Sequence, residues 1–145
     1  MITKIHHVAL KCSGTESFQK TVSFYTDVIG MQVKRSWGEG ADAGAMLTLN
    51  GEDILELFAE GQEQVCNGSI HHFAFYTDDP DACIAEIRAA GYEVTAEPEN
   101  IDILLKQPAE GEQYPLRVAF CRGPLGECIE FFSERQEIEK KKRCK

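Results

Sequence analysis

Apolar and polar positions along this chain alternate, then recur at helical spacing, then alternate again, and the whole progression occurs twice. Ile5–Cys12 alternates well enough for a strand, with His7 on the face of Ile5 and Ala9 while Val8 and Leu10 turn the other way. Phe18, Val22, Tyr25 and Ile29 then repeat at helical spacing. That spacing predicts a helix over Glu16–Ile29, capped by Ser13 or Thr15 and ended by Gly30. Strands are expected over Met31–Trp37 and Ala45–Leu49, on either side of a loop at Gly38–Gly44. Asn50-Gly51 predicts a tight hairpin turn that returns the chain along Asp53–Phe58.

The second round runs in the same order. Ile70–Thr77 reads as a strand, and Asp79-Pro80 as a helix cap followed by a first-turn proline. A helix over Asp81–Ala90 ends at Gly91, and strands follow over Tyr92–Ala96, Arg117–Cys121 and Glu127–Phe132, the last two separated by a turn at Gly123-Pro124-Leu125-Gly126. Between the first two of these strands lies an apparent insertion around Glu99–Pro115, rich in Pro, Gly, Glu and Gln. Each half is thus β-α-β-β-β: residues 1–60 form the first module, 61–134 the second, and 135–145 a charged C-terminal tail.

Composition narrows the setting. A chain of 145 residues suffices for one domain or two closely paired half-domains, and at this size roughly two-thirds of the unfolded surface is buried on folding. No apolar run reaches membrane-spanning length. Fifteen basic residues against 24 acidic ones give a net charge of −9, which argues against a nucleic-acid or anionic-membrane partner. The one basic run, Lys140-Lys141-Lys142-Arg143-Cys144-Lys145, reads as a frayed, solvated helix end. None of the six cysteines forms a Cys-x-x-Cys pair, and Met1-Ile2-Thr3-Lys4 leads straight into the first strand without the length of a secretory signal. Reduced thiols and a cytoplasmic location are therefore expected.

All four histidines fall in two copies of one phrase, Ile5-His6-His7-Val8-Ala9 and Ile70-His71-His72-Phe73-Ala74. A second phrase is also doubled, as Ile54-Leu55-Glu56-Leu57-Phe58 and Cys128-Ile129-Glu130-Phe131-Phe132. His7 precedes Glu56 by 49 positions and His72 precedes Glu130 by 58, the difference falling in the insertion. A lone strand histidine is ordinarily a core or surface residue, and a lone strand glutamate ordinarily faces solvent. Two glutamates flanked by apolar residues at equivalent repeat positions need a shared explanation, because a buried carboxylate is costly unless paired or coordinated. A divalent cation supplies one. Nitrogen and oxygen donors without thiolate suit Zn²⁺, Ni²⁺, Co²⁺, Mn²⁺ or Fe²⁺. Four protein ligands leave up to two positions for waters or neighbouring substrate oxygens, where the ion would act as a Lewis acid on an enediolate while a glutamate shuttles the proton. His6 and His71 are expected on the opposite faces, structural or exposed. Cys128, two residues before Glu130, is expected on its face as a bystander.

At these residues the chain resembles the vicinal oxygen chelate superfamily, and within it the glyoxalase I branch. The resemblance is carried by His7 in IHHVAL, by Phe24-Tyr25-Thr26-Asp27-Val28-Ile29-Gly30-Met31 after the first helix, by Glu56 in ILELF, His72 in IHHFAF and Glu130 in GECIEFF, and it spans Ile5 to Glu134. It implies an α+β fold of paired β-α-β-β-β modules whose curled mixed sheets enclose a metal site, with His7, Glu56, His72 and Glu130 as ligands. It implies Glu130 as catalytic base, Glu56 as its counterpart, and a homodimer, with the modules paired within a chain or across two.

The activity so implied is that of a metal-dependent lyase or isomerase moving a proton on a hemithioacetal or similar vicinal-oxygen substrate. Lys11 stands where similar glyoxalase I enzymes carry an arginine for the glutathione carboxylate, and Glu60-Gly61-Gln62 replaces an aromatic, Asn- and Gly-containing segment. Another thiol adduct therefore stays open beside glutathione. The competing readings are an enzyme like methylmalonyl-CoA epimerase, which typically has glutamine in place of Glu56, and a metal-free small-molecule binding or resistance protein, which lacks the ligand set. Lys11, Arg35, Arg117 and Arg122 are candidates for gripping an anionic substrate, and Trp37 and Phe58 for lining the pocket.

Overall fold

The two rounds of the pattern become two four-stranded mixed sheets, each open at its edges. A computed structural model describes residues 1, 5–61, 71–105 and 108–144, with the side chains at 137–139 and 141 left out. Two compact units emerge, residues 1–66 with 123–126 and residues 67–122 with 127–145. Their strands and helices give the α+β class expected. Among the described residues no helix is long and apolar enough to cross a membrane. Ile70, expected to start a strand, and Gln62 and Cys66 lie outside the described residues.

In the first unit, β1 (Val8–Lys11) is followed by α1 (Thr15–Ser23), β2 (Gln32–Trp37), β3 (Gly44–Thr48) and β4 (Leu55–Phe58), in the sheet order β1-β4-β3-β2. β1 runs parallel to β4 and the other pairs are antiparallel. The expected helix over Glu16–Ile29 divides: after α1, Phe24–Val28 winds as a π-turn, with the Ile29 N–H donating to the Phe24 carbonyl at 3.2 Å. The hydroxyls of Thr21 and Thr26 bond back to the carbonyls of Ser17 and Val22, which loosens the backbone ladder there. The wider turn carries two consecutive aromatics, Phe24 and Tyr25, into the core with Leu47 and Leu57.

The tight turn expected at Asn50-Gly51 is a broader loop, knotted by a side chain. The Asp53 carboxylate accepts from the backbone N–H groups of Leu49 and Asn50 and from the Thr48 hydroxyl, at 3.1, 2.9 and 2.9 Å. Those bonds take over backbone groups that a two-residue hairpin would have paired in the ladder. Burial works to raise the Asp53 pKa, but the bonds from Asn50, Thr48 and Leu49 outweigh it and hold the carboxyl below its usual value.

The second unit repeats the order with β5 (Phe73–Tyr76), α2 (Pro80–Ala89), β6 (Val94–Leu104), β7 (Gln113–Arg122) and β8 (Cys128–Glu134), arranged β5-β8-β7-β6. Asp79 caps α2 as expected, accepting from the Ala82 N–H at 3.0 Å with Pro80 in the first turn. Ile84 and Ile87 of α2 share a core with Ala119, Cys121, Ile129 and Phe131 from the strands below. The region 99–115 differs from expectation, being an outward continuation of β6 and β7 as one long hairpin. Asn100 to Ile103 alternates polar and apolar, and Pro115 is tolerated because β8 has ended by that level, leaving β7 a neighbour on one side only. A third helix, α3 (Arg135–Arg143), carries most of the basic run, its first residue ion-paired to Asp102.

Candidate metal centre

In the first unit the site is built from the parallel pair β1 and β4. The Val8 N–H donates to the Ile54 carbonyl at 3.2 Å and Ala9 stands beside Glu56, so His7, just ahead of the ladder, reaches the Glu56 side chain. His7 Nε2 lies 3.7 Å from Glu56 Oε1. Leu55 and Leu57 turn into the core, which aims Glu56 at the other face beside Met46. Glu56 is nonetheless 7 % exposed, a carboxylate taken almost wholly out of water.

The second unit holds the same arrangement. Ala74 of β5 stands beside Glu130 of β8, and His72, just before β5, places Nε2 3.1 Å from Glu130 Oε2. Glu130 is also 7 % exposed, between the core residues Ile129 and Phe131. Burial pushes its pKa above the usual carboxylate value, opposed by the nearby His72 and His71 imidazoles. Phe120, directly across the ladder from Glu130, meets the His72 ring edge-on at 5.6 Å. Cys128 lies on the Glu130 face, half-buried, its thiol pushed up chiefly by burial.

These distances suit a divalent ion. Two donors each about 2.1 Å from one ion lie about 3.0 Å apart when octahedral and about 3.4 Å apart when tetrahedral. The His72–Glu130 separation of 3.1 Å falls within that range, and the His7–Glu56 separation of 3.7 Å lies just beyond it. The donor set is imidazole nitrogen and carboxylate oxygen, with both carboxylates desolvated. The structure thus brings the four expected ligands together as two pairs, one in each unit; among the described residues no three histidine, cysteine, aspartate or glutamate side chains gather in one group.

The other sequence candidates sort by face. Lys11 stands beside Phe58 and Arg35 opposite Met46, both on the Glu56 face, and the Arg35 guanidinium reaches the Met46 sulfur at 3.7 Å. Arg122, opposite Cys128, is on the Glu130 face. Arg117 is a correction: it lies on the helix side, bonded twice to Asp81 of α2 at 2.6 and 2.7 Å and to Asn100 at 3.0 Å, so it ties α2 to the sheet. Trp37 and Phe58 do pair on the ligand face, ring centroids 6.1 Å apart, and Gly44 between them makes room, since a Cβ there would meet the indole at 2.4 Å.

His6 and His71 are exposed, as expected, but their facing corrects the expectation. Alternation placed them opposite their neighbours, but both precede the strands, where that rule does not hold, and each ring contacts the ring of the histidine that follows. Phe120 and Met46, opposite the ligands, and Gly44, between Trp37 and Phe58, were missed because their places depend on register, which no local motif encodes.

Residues 4–107 match the family model described as the Glyoxalase/Bleomycin resistance protein/Dioxygenase superfamily, a span that includes His7, Glu56 and His72 and ends before Glu130. The chain belongs to this superfamily. Comparison with curated proteins finds no match. Among solved structures, a glyoxalase I mutant from Zea mays is similar with a TM-score of 0.70 at 21 % identity, over 89 % of this chain and 44 % of that one. The chain therefore spans less than half the length of the maize protein. The trypanothione-dependent glyoxalase I of Leishmania major is similar with a TM-score of 0.67 at 21 % identity, over 98 % and 94 % of the two chains. The fosfomycin resistance protein FosX of Listeria monocytogenes gives 0.65 at 16 % identity, over 95 % and 98 %. At such identities the likeness is one of fold.

Proposed function

We propose that the chain is a metal-dependent lyase or isomerase of glyoxalase I type, with His7, Glu56, His72 and Glu130 as the ligands of one divalent ion. What supports the reading is the doubled pair: a buried glutamate on an apolar strand, with a histidine Nε2 within 3.7 Å, at the same register in both modules. When bound, a Ni²⁺, Zn²⁺, Co²⁺, Mn²⁺ or Fe²⁺ ion supplies Lewis acidity toward two neighbouring substrate oxygens.

The chain's own residues do the rest. Glu130 takes the carbon-bound proton of a hemithioacetal or similar substrate and returns it to the adjacent carbon, with Glu56 as its counterpart. Lys11, Arg35 and Arg122 stand on the ligand-bearing faces and hold an anionic substrate. Trp37 and Phe58 give it an apolar wall. The protein acts as a homodimer in the cytoplasm, with a small molecule as its partner.

Elemental analysis of the purified protein is the first test, followed by turnover of hemithioacetals and acyl-CoA thioesters in D₂O. The reading expects about one divalent ion per chain and a product whose adjacent carbon carries mainly the hydrogen taken from the substrate and not solvent deuterium. Light scattering should give twice the 16.2 kDa chain mass. No bound ion after incubation with Ni²⁺, Zn²⁺ or Mn²⁺ would overturn the enzyme reading in favour of a small-molecule binding protein.

A further inference from the structure

The two histidine phrases are doubled in geometry as well as in sequence. His6 Nδ1 lies 3.0 Å from His7 Nδ1, and His71 Nδ1 lies 2.6 Å from His72 Nδ1. The ring pairs meet edge to face, with centroids 5.3 and 4.8 Å apart. In both phrases the second histidine turns its remaining nitrogen, Nε2, to a glutamate. Nitrogens this close share one proton, because two bare lone pairs or two N–H groups would repel.

A neutral imidazole carries its proton on one nitrogen and a lone pair on the other. A ligand nitrogen must offer the lone pair, so the proton has to sit on the far nitrogen, and an acceptor placed there fixes both tautomer and ring orientation. We propose that His6 and His71 are positioning residues, each accepting through its own Nδ1 the Nδ1–H of the following histidine and so holding His7 and His72 with Nε2 presented as a metal ligand. The inference rests on the metal reading above. Local structure explains why adjacent side chains converge: within a strand, neighbours point to opposite faces, but both histidine pairs lie just ahead of β1 and β5, outside the ladders. The same device at both positions means that both histidines of each phrase, and not the second alone, belong to the site.

The test is Zn²⁺ affinity, measured by competition with a chromophoric chelator, for the parent and for His6→Phe, His71→Phe, His6→Asn and His71→Asn. Phenylalanine keeps the edge-to-face ring contact and removes the acceptor, whereas the asparagine carbonyl restores an acceptor close to the Nδ1 position. Each Phe variant should bind zinc roughly 10- to 100-fold more weakly, and each Asn variant should recover most of the loss. In the zinc-loaded, ¹⁵N-labelled parent, the Nδ1–H protons of His7 and His72 should appear as slowly exchanging resonances, one lost in each Phe variant.

Phe variants that bind zinc as tightly as the parent would overturn the inference and leave the metal reading standing, as would Asn variants no better than Phe. A parent that binds no zinc overturns both. If a Phe variant fails to fold, the parent spectrum decides, and absence of the two Nδ1–H resonances sinks the proposal.

Discussion

Replacing a buried carboxylate by its amide changes one charge and almost no volume, so glutamine is the sharpest probe of Glu56 and Glu130. Both residues are 7 % exposed and lie at matched register, which makes the two substitutions comparable. Each should weaken metal binding. With the ion saturating, Glu130→Gln should also lower kcat by roughly 10²- to 10⁴-fold, the range for losing a general base, and Glu56→Gln by less; equal losses in steady-state assays would remove the distinction between base and counterpart. Gly44 offers an independent probe of the same face. A Cβ there would come within 2.4 Å of the indole of Trp37, the one tryptophan of the chain, so Gly44→Ala must push the ring outward. Intrinsic emission should shift to the red in a variant that keeps its far-ultraviolet circular dichroism. Unchanged emission would mean that Trp37 does not rest on Gly44. The thiols make a third case. Cys121 has no exposed surface and its thiol is pushed up to about 12, chiefly by burial, whereas Cys144 is exposed. A thiol reagent at pH 8 should modify Cys144 at once and Cys121 only on unfolding, as mass mapping of the labelled peptides can determine.

Helix α2 owes its start to a single side chain. The Asp79 carboxylate occupies the Ala82 N–H, so Asp79→Ala leaves an orphan donor and should cost about 1 kcal/mol. Urea titration should show a lower midpoint at unchanged slope; no shift would mean that Pro80 and the Arg117–Asp81 bridge alone hold that end. Arg117 presses the Asp81 carboxyl below its usual pKa, first through its hydrogen bond, yet Asp81 is largely exposed and solvent screens the pair. This helix was legible in the sequence because a cap, a first-turn proline and a closing glycine all lie within a few residues. The strands carrying Glu56 and Glu130 were legible for a related reason, since alternation placed each glutamate opposite the core leucines, isoleucine or phenylalanine. What escaped depends on partners distant in sequence. Turn-forming residues hid the outward continuation of β6 and β7, although Glu99–Leu104 finds its ladder in Gln113–Val118. The π-turn at Phe24–Val28 buries two consecutive aromatics, Phe24 and Tyr25, and the pairing of His6 with His7 arises where the strand has not yet begun.

At the scale of the molecule, the open quantity is how many ions the doubled site holds. A histidine–glutamate pair alone gives an ion two protein donors, whereas both pairs together give four, so a shared ion is held far more firmly than two separate ones. Under the proposed reading, a shared ion would also link the stability of the two modules, because unfolding either would release ligands that the ion needs. One ion per 16.2 kDa chain is therefore expected in a binding titration. At a free concentration about 100 times Kd, that ion adds about 2.7 kcal/mol to folding stability, a rise in Tm of roughly 5–10 °C for a chain of this length. Glu56→Gln and Glu130→Gln, though placed in different units, should each abolish most of that rise. Calorimetric melts of the parent and both variants, with and without Zn²⁺, read the effect directly. Two ions per chain, with each substitution removing one and leaving half of the stabilisation, would instead assign the pairs to independent sites and separate the modules' chemistry.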